Sequence, residues 1–175
     1  VLGVEHLMMS WTLGGYPSPN IKIASSYFFT QRGGAERKIE NTYAACFGDF
    51  ADIVKQAADI FSEAFKEFPF GLDSLYLGPQ NLGAANLLYG EATGFKATMT
   101  CFAYDDLANW RKGLPERCGE FSEQAYETQF KRLSDRWKDG LDLLTALPTC
   151  ELKDIAEAGY AVFRSCYNQV RFIRL

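Results

Sequence analysis

The hydrophobic positions of this chain recur mostly at steps of three and four residues, the period of an amphipathic α-helix. In residues 49–68 such a stripe ends at Pro69 and Gly71. Two longer stripes close the chain and are separated by Pro148. They comprise Tyr126, Phe130, Leu133, Trp137, Leu141 and Leu144, and then Leu152, Ile155, Gly159, Val162, Cys166, Val170 and Ile173. Two amphipathic helices joined by so short a connection are expected to pack antiparallel.

Proline and glycine mark the ends of the other predicted elements. A helix over about 20–31 has Ser18 as its cap and Pro19 at its first position, and a second helix over 35–47 stops at Gly48. Residues 5–11 are the best strand candidate, whereas 72–117 fits neither helix nor strand and is predicted to be a long irregular segment. Glu127 and Lys131 have the spacing of a favourable i,i+4 ion pair. The sequence therefore predicts a mainly α fold of about five helices.

Composition narrows the classes of function. The 175 residues carry a net charge of −4, and no Lys/Arg stripe is present, which argues against nucleic acid as a partner. No apolar run reaches the length of a membrane span, which argues against a membrane partner. Five widely spaced cysteines without a C-x-x-C pair favour reduced thiols and a cytoplasmic location. His6 is the only histidine and no phosphate-binding glycine pattern occurs, so we expect no metal and no cofactor.

Three stretches carry side chains that suit recognition of a hydroxyl-rich ligand. Trp11 and Tyr16 flank a Gly-Gly turn, Asn81 and Asn86 lie in a glycine-containing stretch, and Tyr104, Asp105 and Trp110 lie in the third stretch. Aromatic faces cover the apolar face of a sugar, while amides exchange hydrogen bonds with hydroxyls. Each stretch also has a structural reading: Trp11 as a core residue, the asparagines as turn residues, and Asp105 with Asp106 as the start of a short helix.

The motifs that carry most of this chemistry resemble a known group of proteins. They are SWTLGGYPSPN (10–20), FSEAFKEFPF (61–70), LGPQNLGAANLLY (77–89), TGFKATMTCFAYDDLANWR (93–111) and YNQVRFIRL (167–175). They are similar to the C-terminal part of long bacterial proteins that look like glycoside hydrolases, with a (β/α)8 barrel followed by a helical region. Residues 114–121, LPERCGEF, depart from that pattern.

The resemblance implies a division of this chain and a role for it. Residues 1–19 would be the last barrel strand and its loop, and 20–175 a single helical domain. Trp11 would then lie beside a sugar cleft, and the catalytic carboxylates would lie on earlier barrel strands that this chain lacks. The expected partners are a carbohydrate and the barrel domain of the same polypeptide. The face that met the barrel would be apolar and could pair two copies into a homodimer.

We therefore expect a non-catalytic part of a carbohydrate-active protein that shapes or covers the sugar cleft. The alternative is a helical scaffold or interaction domain that has no ligand and whose aromatic side chains are all used in packing. A third possibility, a helical module for a small apolar ligand, would require an enclosed cavity between the helices.

Overall fold

The computed structural model describes residues 19–29, 34–72 and 107–175. Within these ranges the fold is mainly helical and contains no strand, which confirms the predicted fold class. We number the described α-helices in chain order. They are α1 (Pro19–Phe29), α2 (Ala35–Phe47), α3 (Ala51–Phe65), α4 (Leu107–Cys118), α5 (Glu123–Leu143) and α6 (Glu151–Arg174), with short 3-10 turns at Gly48–Phe50 and Leu144–Ala146. The predicted strand at 5–11 lies outside the described residues.

The chain divides into two compact units, Val1–Lys55 and Gln56–Leu175, which we describe separately. In the first unit, helix α1 begins at Pro19 as predicted. Helix α2 ends at Gly48, whose φ of +54° is accessible to glycine at little cost, and whose backbone N–H donates to the carbonyl of Ala44. The predicted glycine stop is therefore confirmed.

Helices α5 and α6 form the main hairpin of the second unit and are antiparallel, as predicted. The guanidinium of Arg174, at the end of α6, pairs with Glu123 at the start of α5. Further along, Arg164 pairs with Asp135 at 2.9 Å. Between the helices lies a core of completely or almost completely buried side chains that includes Phe130, Leu133, Cys166, Val170 and Ile173.

The buried face of α6 differs from the predicted stripe in its first turns. Ile155 is 41% exposed, whereas Ala156 is buried. The carbonyl of Ala156 accepts a hydrogen bond from the indole of Trp137, so the helix presents this residue rather than its neighbour to α5. Strict steps of three and four residues drift from the real helical period of 3.6, which explains the difference of one position.

Two further predictions were wrong in detail. Lys131 pairs with Asp135 at 2.5 Å and not with Glu127, because a helical lysine has neighbours one turn away on both sides. The segment 72–117 is not irregular throughout, because α4 occupies its last part. Gly113 and Pro115 disfavour a helix locally, so the hydrophobic pattern did not predict the full length of α4. It is held instead by burial of Leu114 and Cys118, which lie one turn apart in the core.

Candidate functional site

The residues selected from the sequence fall mainly on parts of the chain that the structure does not describe. Outside the described residues lie Trp11, Tyr16, Asn81, Asn86, Tyr104 and Asp105. The backbone of Trp110 lies within α4. A helix does begin at Leu107, immediately after the Asp105-Asp106 pair, as the structural reading of that pair expected.

Helix α4, which follows the third candidate stretch, is fixed firmly to the second unit. The Arg111 Nε–H donates to the backbone carbonyl of Ile173 at 2.9 Å. Carbonyls in the last turn of a helix have no partner within that helix, and a cation there is also favoured by the helix dipole. Together with the buried Leu114 and Cys118, this contact positions the backbone of α4 where Trp110 lies.

Tryptophan can serve as a sugar platform, but Trp137 is packed within the fold. Its indole N–H donates to the Ala156 carbonyl at 2.9 Å, and its ring stacks on Phe61 with 4.4 Å between centroids. A Cβ on Gly159 would lie 3.1 Å from the same indole, so the glycine lets the ring approach α6 closely. Both the polar and the apolar parts of this side chain are thus used within the fold.

Several acidic residues around α5 and α6 form ion pairs within the second unit. Glu127 and Glu123 both pair with Arg174, Asp135 pairs with Arg164 and Lys131, and Glu67 pairs with Arg136 at 2.9 Å. Each of these carboxylates therefore has a cationic partner within the fold. The described residues also contain no group of three or more potential metal ligands.

A cavity of about 450 Å³ lies where α5 begins and α6 ends. Its lining includes Tyr167, Arg171 and Arg174. The Arg171 guanidinium donates to the Tyr167 hydroxyl at 2.5 Å, and Arg174 is engaged by Glu127. Both guanidinium groups therefore already have partners within the cavity wall.

A second cavity, of about 300 Å³, lies between α1 and α2 in the first unit. Lys22, Arg37 and Lys38 give it a positive lining, and the remaining lining residues are Ser26, Asn41, Thr42, Ala45 and Cys46. None of these residues was a candidate from the sequence alone. The pattern that could have indicated them is the spacing of 37, 41 and 45 and of 38, 42 and 46, which places these residues on one side of α2.

The cysteines in the described ranges are free thiols, as predicted: Cys46 and Cys150 are partly exposed, and Cys118 and Cys166 are buried. Burial raises the pKa of the Cys166 thiol to about 12. Burial and the negative charge of Glu123 raise the pKa of Cys118 to about 12. Because the thiolate is the nucleophile, neither buried cysteine is suited to nucleophilic catalysis.

Comparison with known proteins does not assign this chain to a family. No protein-family model matches the chain, and no curated protein and no solved structure is significantly similar to it. Among the described helices, none is both long and apolar enough to cross a membrane.

Proposed function

We propose that this chain is a non-catalytic helical part of a carbohydrate-active, glycoside-hydrolase-like protein, where it shapes or covers the sugar cleft. The candidate ligand-binding residues are Trp11, Tyr16, Asn81, Asn86, Tyr104, Asp105 and Trp110. A barrel domain of the same polypeptide is the proposed partner of the helical part. A homodimer through an exposed apolar face is a second proposed assembly.

The firm attachment of α4 is the observation that carries this proposal. Arg111 holds α4 to the end of α6, and its neighbour in the chain is Trp110. Binding residues work best on elements whose backbone is fixed by the surrounding structure. Trp110 lies on an anchored helix that begins two residues after Asp105. Such a helix gives the backbone support that a sugar platform requires.

The paired charges of the second unit support the non-catalytic part of the proposal. A glycosidase needs two carboxyl groups, one of which donates a proton. The carboxylates of Glu127, Asp135 and Glu67 instead accept from arginine side chains. Their role here is to hold helices together.

A helical scaffold without a ligand is the second candidate function, and the aromatic packing favours it. Phe61, Trp137 and Phe163 form a continuous aromatic group, with Phe163 edge-on to the indole at 5.0 Å. Phe68 meets Phe130 edge-on at 5.8 Å. If Trp11 and Trp110 are used in the same way, no tryptophan is left as a platform for a sugar.

Tryptophan fluorescence separates the two candidates, because the chain has only three tryptophans. We would titrate the full chain with cellohexaose, maltohexaose, chitohexaose and xylohexaose. The carbohydrate proposal expects one of them to change the emission of the native chain. The double variant Trp11→Phe/Trp110→Phe retains only the packed Trp137 and should give no change.

Calorimetry with the same sugar then tests the individual residues. Trp11→Ala and Asn81→Ala should each weaken binding about tenfold or more, as expected for central contact residues. Trp137→Phe is the matched control, which should lower stability and leave affinity unchanged. Unchanged affinity in Trp11→Ala, Asn81→Ala and Trp110→Ala would remove these residues from the site. Absence of binding by all four sugars would favour the scaffold.

A further inference from the structure

The cavity between α1 and α2 is lined by positively charged residues, although the chain is acidic overall. Lys22, Arg37 and Lys38 line it, and no carboxylate is found among the lining residues that the structure describes, although the net charge of the chain is −4. On the same stretch of α2, Glu36 lies about 100° and about 160° around the helix axis from Arg37 and Lys38, whereas Glu40 lies about 60° from Arg37 and about 160° from Lys38. The local field in the cavity therefore favours an anion.

The hairpin geometry brings these cations together. Helices α1 and α2 run antiparallel, because Lys22 approaches Cys46 while Ser26 approaches Lys38. Lys22 and Ser26 are one turn apart and share a face of α1. That face meets the side of α2 that presents Arg37, Lys38 and Asn41, so residues distant in the sequence line one space.

The cationic groups keep most of their hydrogen-bonding capacity. The Lys38 ammonium lies 4.3 Å from the centre of the Tyr27 ring and donates to the Ser26 carbonyl at 3.4 Å, while Lys22 lies 3.5 Å from the Cys46 sulfur. An ammonium has three donors, so both lysines have donors to spare. Within the described part of the chain, the side chains of Arg37 and Asn41 make no hydrogen bond or ion pair.

We propose that this cavity binds a small phosphate monoester. Three cations match a group with about two negative charges, and a guanidinium can engage two phosphate oxygens at once. The volume of about 300 Å³ exceeds that of a phosphate group, so it leaves room for the organic part of the ligand beside Ala45 and Cys46. This proposal goes beyond the carbohydrate proposal and does not depend on it.

The first test is calorimetric titration of the full chain with glycerol 3-phosphate, inorganic phosphate and glycerol at constant ionic strength. Glycerol 3-phosphate should bind saturably, inorganic phosphate more weakly, and glycerol not at all. Arg37→Gln and Lys38→Gln should each lower the affinity about tenfold, since each removes charged hydrogen bonds. Lys112→Gln, which removes an exposed charge from α4, should change it less than about twofold.

Asn41→Ala separates recognition from overall charge, because it removes a donor without changing the net charge. It should weaken binding about threefold or more, with an unchanged helical circular dichroism spectrum. Equal losses in Lys112→Gln and Arg37→Gln, or no saturable binding of glycerol 3-phosphate, would overturn the proposal. Stronger binding of inorganic phosphate than of the monoester would overturn the assigned ligand class.

Cysteine alkylation provides an independent measurement. Cys46 lines the cavity and Cys150 does not, and both are partly exposed. Bound glycerol 3-phosphate should slow iodoacetamide modification of Cys46 while leaving that of Cys150 unchanged, as followed by peptide mass spectrometry. Protection of both cysteines, or of neither, would contradict binding in this cavity.

Discussion

The two antiparallel hairpins of this protein are held together in different ways. Between α5 and α6, completely buried side chains such as Phe130 and Leu133 fill the interface. Between α1 and α2, the side-chain contacts found among the described residues are two long polar ones and the Lys38 ammonium over the Tyr27 ring, and both Tyr27 and Phe28 on α1 remain exposed. Burial of an apolar side chain stabilises by about 1.5–3 kcal/mol, so the α5–α6 hairpin is the one fixed by its own core.

The difference indicates a division of roles. The cavity beside the α5–α6 core is lined by guanidinium groups that already have partners, whereas the positively lined cavity between α1 and α2 has donors that can change their contacts when a ligand enters. We therefore expect substitutions at the α5–α6 interface to act on stability. Substitutions at the α1–α2 interface should act mainly on binding.

The largest expected effect is that of Phe130→Ala in the α5–α6 core. Phe130 is fully buried and meets both Tyr126 and Phe68 edge-on. Loss of such a ring should lower the free energy of unfolding by about 3–5 kcal/mol, measured by urea denaturation. Phe172→Ala, at a 51% exposed position on α6, and Phe28→Ala on α1 should each cost less than about 1 kcal/mol. Comparable losses in all three variants would remove the distinction between the hairpins.

A smaller effect is expected from Gly140→Ala, where α3 approaches α5. A Cβ at this position would lie 2.6 Å from the ring of Phe61 and 3.2 Å from the Ala57 carbonyl oxygen. Alanine favours a helix over glycine by about 1 kcal/mol, but the ring cannot move freely because it stacks on Trp137. We expect a net loss of about 1–3 kcal/mol in the same urea measurement.

The double variant Phe61→Leu/Gly140→Ala tests the cause of that loss. If the clash with the ring is responsible, Gly140→Ala should cost less in the Phe61→Leu background than in the native one. Gly34→Ala in the first unit is the control, since a Cβ there would have nothing within 4 Å. A gain in stability from Gly140→Ala alone would show that α3 and α5 are not in close contact.

The sequence predicted the parts of the fold that depend on local pattern. Pro19 and Gly48 mark helix ends by their own backbone properties, and most of the 126–144 stripe is buried as its period predicted. The Asp105-Asp106 pair predicted the start of a short helix, but the full length of α4 was missed because Pro115 and Gly113 disfavour a helix locally, while burial of Leu114 and Cys118 outweighs them. Such tertiary compensation has no signature within a short window.

The candidate site was less predictable for a related reason. The sugar-binding hypothesis rests on Trp11 and Asn81, which lie outside the described residues, so it stays a prediction. The basic cavity was overlooked because Lys22 and Arg37 are separated along the chain, and glutamates at 36 and 40 conceal the charge of α2. Only the antiparallel arrangement of α1 and α2 brings the cations together.

The smallest expected effect concerns the Cys166 thiol, which is buried in the α5–α6 core. The ordinary pKa of 9.0 applies to an unfolded thiol, whereas burial raises the pKa of Cys166 to about 12. Above pH 9 the unfolded chain therefore loses a proton that the folded chain keeps, and stability falls as the pH rises from 9 toward 12. Below pH 9 this contribution is constant.

Cys166→Ala isolates this contribution from the other groups that titrate in alkali. Relative to its own stability at pH 8, the variant should lose about 1.4 kcal/mol less than the native chain at pH 10, as measured by urea denaturation. Val170→Ala is the matched control, because it also truncates a side chain of the α5–α6 core but removes no titratable group. Its loss between pH 8 and 10 should equal that of the native chain. An equally small loss in both variants would mean that the effect comes from the altered core and not from the Cys166 thiol.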